Sequence, residues 1–373
     1  MTTVRLLKNG SEAFPAMLEA IDRALTSIAL EMYIFTDDGT GRLFRSRLAA
    51  AARRGIEVSV LVDAFGSWAL ADAFWDELRQ AGGAVRWFRP MRRGLLPFRD
   101  HRKLLLVDDA VAYIGGMNIG DEYHHGRDGE PPWRDNALEI IGPEVALLHR
   151  SFLRMWARAE RPIRFRLFRG RRKQGDVQGG PVRFLESGPG GRTHHVRREY
   201  AQLIRRAEAS IDLAMSYFFP PGPVLRALRR AVQRGVRVRL LFPARSDVAL
   251  ARWAARGLYG RLLRAGMEVW EYQPAMMHAK LAVIDDTVLA GSANLDLRSG
   301  RINYELVAAA ADPPLAAKAR ADFEQDLAVS APVRYVMWQQ RPLVQRIAER
   351  ISYWLLARAD LFVARTRLAR LWW

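Results

Sequence analysis

Residues Leu43–Asp63 read LFRSRLAAAARRGIEVSVLVD, and residues Val224–Pro243 read VLRALRRAVQRGVRVRLLFP. In each, a helical pattern ends at a glycine (Gly55, Gly235), and a run of alternating Val, Ile or Leu follows. Glycine just past a helix tolerates the left-handed conformation that stops it. The run after it has the period of a strand. The likeness extends outward from there. FPAMLEAIDRALTSIALEMYIF from Phe14 matches HVRREYAQLIRRAEASIDLAMSYFF from His195. RQAGGAVRWFRP around Gly82 matches RAGMEVWEYQP around Gly266. The chain is read as two copies of one unit. Helix–glycine–strand alternation implies crossover units, so each copy is expected to be an α/β half whose sheet is mixed but largely parallel and flanked by helices.

The halves are placed at residues 1–160 and 182–330. Between them, Arg161–Pro181 is basic, glycine-rich towards its end and read as a solvated linker. Residues 331–373 have no counterpart in the first half. They carry eight arginines against Glu349 and Asp360, with Trp338, Trp354, Trp372 and Trp373. Leu343, Ile347, Ile351, Trp354 and Leu355 fall there at helical spacing.

Composition narrows the chemistry. The chain has 373 residues, half of them apolar, enough for real cores in both halves. It has no cysteine, which excludes disulfides and thiolate metal sites and fits a reducing compartment. The net charge of +18 draws polyanions: nucleic acid, an anionic membrane or a phosphate-bearing substrate. Residues Met1–Asn9 lack the apolar core of a signal peptide, and no run of about 20 apolar residues suggests a membrane span. Any membrane contact is therefore expected to be peripheral, at the cytoplasmic face.

Each half contains one chemical motif. The first reads His101-Arg-Lys103-Leu-Leu-Leu-Val-Asp108, then Gly115-Gly116-Met-Asn118. The second reads His278-Ala-Lys280-Leu-Ala-Val-Ile-Asp285, then Gly291-Ser292-Ala-Asn294. On a strand, positions i and i+2 share a face, so the spacing projects an imidazole and an ammonium together. An ammonium neutralises the non-bridging oxygens of a phosphodiester, and an Asn amide donates to the same oxygens. Gly115, Gly116, Gly291 and Ser292 let the backbone approach closely. Two imidazoles can exchange a phosphodiester without metal: one attacks phosphorus, the other protonates the leaving oxygen and deprotonates the acceptor. The adjacent pairs His124-His125 and His194-His195 lack surrounding carboxylates and are not read as metal sites. The stretch Arg89–Phe98 is either a connector or a contact for lipid headgroups.

These paired motifs resemble the phospholipase D superfamily, and most closely its bacterial cardiolipin synthases, in the short branch without N-terminal membrane helices. YIGGMNIGDEY at Tyr113, Trp133-Arg-Asp135, FLESGP at Phe184, SANLDLRS at Ser292 and Asn303-Tyr-Glu305 carry the likeness. The resemblance implies two tandem phospholipase D-like halves related by a pseudo-two-fold axis. It implies a covalent phosphohistidine, with neither metal nor cofactor. It assigns His101, Lys103, Asn118, His278, Lys280 and Asn294 to the phosphate site. Glu305 is expected to orient a catalytic histidine, and Asp135 is the nearest acid in the first half. Asp108 and Asp285, the motif acids, are expected to brace the site rather than react.

The expected reaction joins two phosphatidylglycerols into cardiolipin and releases glycerol. His101 is assigned as nucleophile and His278 as general acid, then base, although pseudo-symmetry permits the reverse. Phosphodiester hydrolysis uses the same residues and stays open, and a nuclease is a further alternative. The expected partners are an anionic phospholipid substrate and an anionic membrane surface, with no nucleic acid and no obligate protein. The basic, Trp-rich tail is expected to help dock the protein on the bilayer, the competing view being that it packs on the catalytic body.

Overall fold

The N-terminal edge of each half is one strand and one amphipathic helix, and the rest of the half is built on them. The computed structural model describes residues 2–89, 98–160, 181–189, 195–246, 248–296, 299 and 302–365. The readings made for 161–180, for 90–97, for His194 and for Trp372 and Trp373 lie outside the described residues.

The first half runs β1 (Thr3–Lys8), α1 (Asn9–Arg23), β2 (Ser27–Met32), α2 (Gly39–Arg53) and β3 (Glu57–Asp63). A 3-10 turn (Asp72–Trp75), α3 (Asp76–Gln80), β4 (Ala84–Phe88), β5 (Leu104–Val107) and β6 (Val111–Gly115) follow. Then come α4 (Asp121–His124), β7 (Asn136–Ile141) and α5 (Val145–Glu160). The second half runs β8 (Val182–Ser187), α6 (His195–Arg206), β9 (Ser210–Met215), α7 (Gly222–Gln233) and β10 (Arg237–Pro243). It continues with α8 (Ala249–Arg264), β11 (Glu268–Tyr272), β12 (Lys280–Ile284), β13 (Thr287–Gly291), β14 (Glu305–Ala311) and α9 (Pro313–Ala328). The described residues end in β15 (Ser330–Pro332), α10 (Tyr335–Gln339) and α11 (Leu343–Arg365).

The helix stops read from the sequence hold. Gly55 and Gly235 take φ of +88° and +91° past α2 and α7, where a side chain would be strained.

The sheets repeat one strand order: β1-β7-β6-β5-β2-β3-β4 in the first, and β8-β14-β13-β12-β9-β10-β11 in the second, extended by β15. Both are mixed, and the expectation of a largely parallel sheet is corrected. Parallel pairing is confined to β2-β3-β4 and β9-β10-β11, and every other pairing is antiparallel. Successive strands within those two sets are joined through helices and pair directly with each other. Strands β5 and β6, like β12 and β13, are joined by tight turns, which can link only antiparallel neighbours.

Strand periodicity then sorts the side chains into layers. Leu104, Leu106, Ala112, Ile114, Leu138 and Ile140 share one core with Leu281, Val283, Val288, Ala290, Leu306 and Ala308. That core lies between the sheets, with α5 and α9 completing it. The alternate residues face outward: Leu105 and Val107 pack under α1 and α2, and Ala282 and Ile284 under α6, α7 and α8. Each fully buried Leu, Ile or Val contributes about 1.5–3 kcal/mol, and the central layer draws on both halves, so it holds them to each other.

Candidate active site

The motif histidines precede their strands. Strand β5 opens at Leu104 and β12 at Lys280, so the expectation that the histidines lie on the strands is corrected by a few residues. What fixes them is the other half. The His101 N–H donates to the Tyr304 carbonyl at 3.0 Å, and the His278 N–H donates to the Arg134 carbonyl at 2.7 Å. These reciprocal bonds match equivalent backbone positions across the interface, as a pseudo-two-fold relation requires.

Each backbone bond delivers an acid. Residue 305 follows Tyr304, and Glu305 Oε2 lies 3.0 Å from His101 Nδ1. Residue 135 follows Arg134, and Asp135 Oδ2 lies 2.8 Å from His278 Nδ1. Both carboxylates are fully buried, a costly placement for an acid unless it is hydrogen-bonded. Ser292 donates to Glu305, and the Arg134 guanidinium braces the Asp135 segment through the Asp135 carbonyl at 2.6 Å. Arg134 is in turn held by Asp326, with Nη2 2.7 Å from Oδ2.

The small residues of the motifs are explained by the same contacts. A Cβ on Gly116 would stand 2.5 Å from Asp135 Oδ1, and one on Gly115 would stand 2.5 Å from the Asn136 carbonyl. A Cβ on Gly291 would stand 2.3 Å from the Leu306 carbonyl. In the second half Ser292 replaces Gly116 and serves the acid as a donor.

Lys103 Nζ donates to the His101 carbonyl at 2.7 Å. Lys280 Nζ reaches the His278 carbonyl at 2.5 Å and stands 3.1 Å from His278 Nε2. The charges of Lys280 and His278 act on His101, so both motifs contribute to one site. Burial, then Lys103, Lys280 and His278, hold the His101 imidazole well below its ordinary range. Burial, then the charge of Lys280, brings Lys103 down to about 7. Burial raises Glu305 to about 7, against the attraction of Lys103. Burial and mutual repulsion lower the basicity of these groups, and an anionic ligand beside them would favour their charged forms.

Asn118 accepts from the Ile34 N–H at 3.2 Å and donates to the Tyr123 hydroxyl at 3.1 Å. Asn294 Oδ1 accepts from Ser216 at 2.8 Å, which leaves its amide N–H groups as donors. Asp108 and Asp285 are not brought to the histidines. They lie at the far ends of β5 and β12. Asp108 accepts from the N–H groups of Leu25, Thr26 and Ser27, and Asp285 from those of Glu208, Ala209 and Ser210. Burial pushes both carboxyls up, but the backbone donors outweigh it and hold them below the usual range. They tie the turns that start β2 and β9 and stand apart from the motif histidines and lysines. His124 stacks on His125 and stands 3.3 Å from the Thr40 hydroxyl, away from the motifs.

Sequence reasoning missed three neighbours. The Tyr123 hydroxyl stands 3.1 Å from His278 Nδ1. The Tyr33 ring meets the His101 ring edge-on at 4.7 Å and lies 5.0 Å from Lys103 Nζ. Arg134 is the third. Tyr33 lies within, and Tyr123 ends, a segment quoted above, but nothing in their spacing singles them out. A groove of about 610 Å³ between β1, α1 and the start of α9 contains none of the motif residues, so it is not the site of this chemistry.

The profile of the cardiolipin synthase, phospholipase D-like domain family matches residues 17–156 and 200–327. The chain belongs to that family. Within it, the protein is 35% identical over 358 residues to a cardiolipin synthase of Geobacillus sp. (strain WCH70), covering 94% of this chain and 71% of that protein. It is 34% identical over 356 residues to the major cardiolipin synthase of Bacillus subtilis (strain 168), covering 94% and 74%. The fold is shared with a phosphatidylserine synthase of Haemophilus influenzae, at a TM-score of 0.72 and 15% identity over 96% of this chain and 94% of that one. This cardiolipin synthase family member is therefore a phospholipase D-superfamily phosphatidyltransferase, an enzyme of phospholipid synthesis. Among its described residues no helix is long and apolar enough to cross a membrane.

Proposed function

We propose that this phosphatidyltransferase joins two phosphatidylglycerols into cardiolipin and releases glycerol, through a phosphatidyl group carried on His101. One observation carries the reading: two motif histidines, each fixed by a buried acid of the opposite half, with two buried lysines beside them. Nδ1 of His101 is engaged by Glu305, which leaves Nε2 for phosphorus. Its depressed basicity keeps it neutral, as a nucleophile must be.

The His101 Nε2–P bond forms as the bond from phosphorus to the glycerol oxygen breaks. His278 gives its proton to that oxygen, and glycerol leaves. His278 then takes the proton of a hydroxyl on the second phosphatidylglycerol. That oxygen bonds to phosphorus, the N–P bond breaks, and His101 returns neutral. Lys103, Lys280, Asn118 and Asn294 stabilise the phosphoryl oxygens in both steps. Asp135 holds His278 in the orientation that makes it an acid and then a base. The steps call for neither metal nor cofactor. We place the enzyme peripherally at the cytoplasmic face, where anionic lipids attract a chain of net charge +18.

The test gives purified enzyme phosphatidylglycerol liposomes and identifies the products by mass spectrometry. Cardiolipin without a matching rise in phosphatidic acid is expected. Phosphatidic acid alone would overturn the synthase assignment and leave hydrolysis. His101→Asn and His278→Asn should each lower turnover by about 10⁴-fold or more, and only His101→Asn should also abolish an acid-labile phosphatidyl-enzyme. Near-normal turnover in both variants would refute the mechanism.

A further inference from the structure

Helix α11 is mounted on α8 with its polarity reversed. Toward the body it turns Glu349, only 1% exposed, together with Ser352 and the partly buried Gln345, Ala348 and Tyr353. Glu349 is held there by Arg341 at 2.7 Å and Arg256 at 3.4 Å. A Cβ on Gly257 of α8 would stand 2.9 Å from the Glu349 carbonyl, so the helices approach closely on this polar side. Away from the body α11 turns Leu343, Val344, Ile347, Ile351 and Trp354, with Val344 79% exposed and Leu343 67%. On a helix these five fall within a sector of about 100°. Val336 and Met337 of α10, which packs on α8 as α11 does, are exposed as well. A helix in water buries its apolar stripe; this one buries the polar face and leaves the stripe outside. Packing on the catalytic body therefore does not account for the stripe.

Its surroundings name the occupant. Arg334, just before α10, and Arg346 and Arg350 of α11 are exposed, and arginines beside an apolar stripe with a Trp suit the headgroup layer of an anionic bilayer. The helix also lies by the rim of the site. The Tyr353 ring stacks on Phe219 at 6.3 Å, three residues past Ser216, which bonds Asn294. The same end of the molecule exposes further apolar groups in both halves. Phe65 and Trp68 follow β3, and Val248 and Leu250 follow β10, the equivalent strand.

We propose that the outward stripe of α11, with Val336 and Met337, docks flat on an anionic lipid bilayer and lays the rim of the two-histidine site against it. This rests on the reading of the substrate as membrane lipid, and the test separates the two. The full chain is floated with vesicles of phosphatidylcholine, with or without phosphatidylglycerol, and turnover is measured separately on a water-soluble short-chain phosphatidylglycerol. The double variant Ile347→Glu, Ile351→Glu should lose about a hundredfold in vesicle affinity, at about tenfold for each apolar contact. The double variant Arg346→Glu, Arg350→Glu should lose at least about 25-fold on phosphatidylglycerol-containing vesicles, about fivefold per arginine, and little on phosphatidylcholine. Both should retain turnover of the short-chain lipid. Unchanged vesicle affinity in both variants overturns the proposal. So does a shift from dimer to monomer with unchanged vesicle affinity, which would show that the stripe meets a second copy. Wild-type protein that binds vesicles but forms no phospholipid product would overturn the function and leave the docking.

Discussion

The two motif segments occupy the same place in two sheets of the same strand order, yet their surroundings differ. Around His101 the acid is a glutamate from the other half, assisted by Ser292, and the neighbouring ring is Tyr33. Around His278 the acid is an aspartate, accommodated by Gly116, and the neighbours are the Tyr123 hydroxyl and the Lys280 ammonium. Beneath the first segment, Arg102 pairs with Glu31 at 3.0 Å, both buried. The equivalent places in the second half hold Ala279 and Ala214. Duplication brings two motif histidines to one site, and these departures from symmetry give the two imidazoles different surroundings, as the divided roles proposed above require.

The sharpest way to break the comparison is to remove each acid in turn. Asp135→Asn and Glu305→Gln keep the shape of the site but offer the wrong partner to the imidazole. Each is expected to lower kcat by about 10³–10⁴-fold. On the mechanism proposed above the two should then part: Asp135→Asn should slow both half-reactions, since His278 is proposed to serve in both, whereas phosphatidyl-enzyme formation should be the step Glu305→Gln slows most. Rapid-quench measurement of the two steps checks this. Equal effects on both steps in both variants would mean that the roles are not divided.

The buried pair under the first segment gives a stability contrast. Arg102→Met leaves Glu31 buried without its cation and should cost about 3–5 kcal/mol in denaturant unfolding. Burial already raises Glu31, against the charge of Arg102. Without the arginine the carboxyl is carried neutral, so the loss should shrink as pH falls. A loss that grows at low pH would contradict this account.

The smallest expected effect is on titration. His101 is depressed by burial and then by Lys103, Lys280 and His278. Between its folded value and the ordinary value of about 6.5, the unfolded chain holds a proton that the folded chain lacks. Stability is therefore lost as pH falls through that window. Lys103→Met should raise the His101 pKa, read by NMR titration of its ring protons, and should leave less of this loss. A further drop in the pKa would show that Lys103 does not set it.

Much of this was legible one residue at a time. The helix stops at Gly55 and Gly235 follow from backbone sterics, and the two-face burial of LLLV and LAVI follows from their apolar runs. Sheet direction was misread because helix–glycine–strand alternation describes only three strands of each half. The turns after Asp108 and Asp285 force the neighbouring pairs antiparallel, and their role as turn braces depends on backbone donors some eighty residues away in the chain. The tail showed its helical period in the sequence, but period alone does not say which face is inside.

By itself, then, the sequence determined that the chain is a duplication, that each copy offers one His-x-Lys, and that the pair suits phosphodiester chemistry, because spacing and residue type are local properties. Only the tertiary structure decided that Glu305 serves His101 and Asp135 serves His278, that Tyr33, Tyr123 and Arg134 belong to the site, and that α11 turns its apolar face outward. Those depend on the crossing backbone bonds of His101 to Tyr304 and His278 to Arg134 and on the close approach of α11 to α8 at Gly257. They are contacts between segments far apart in the chain, set by packing of the whole, and no local pattern carries them.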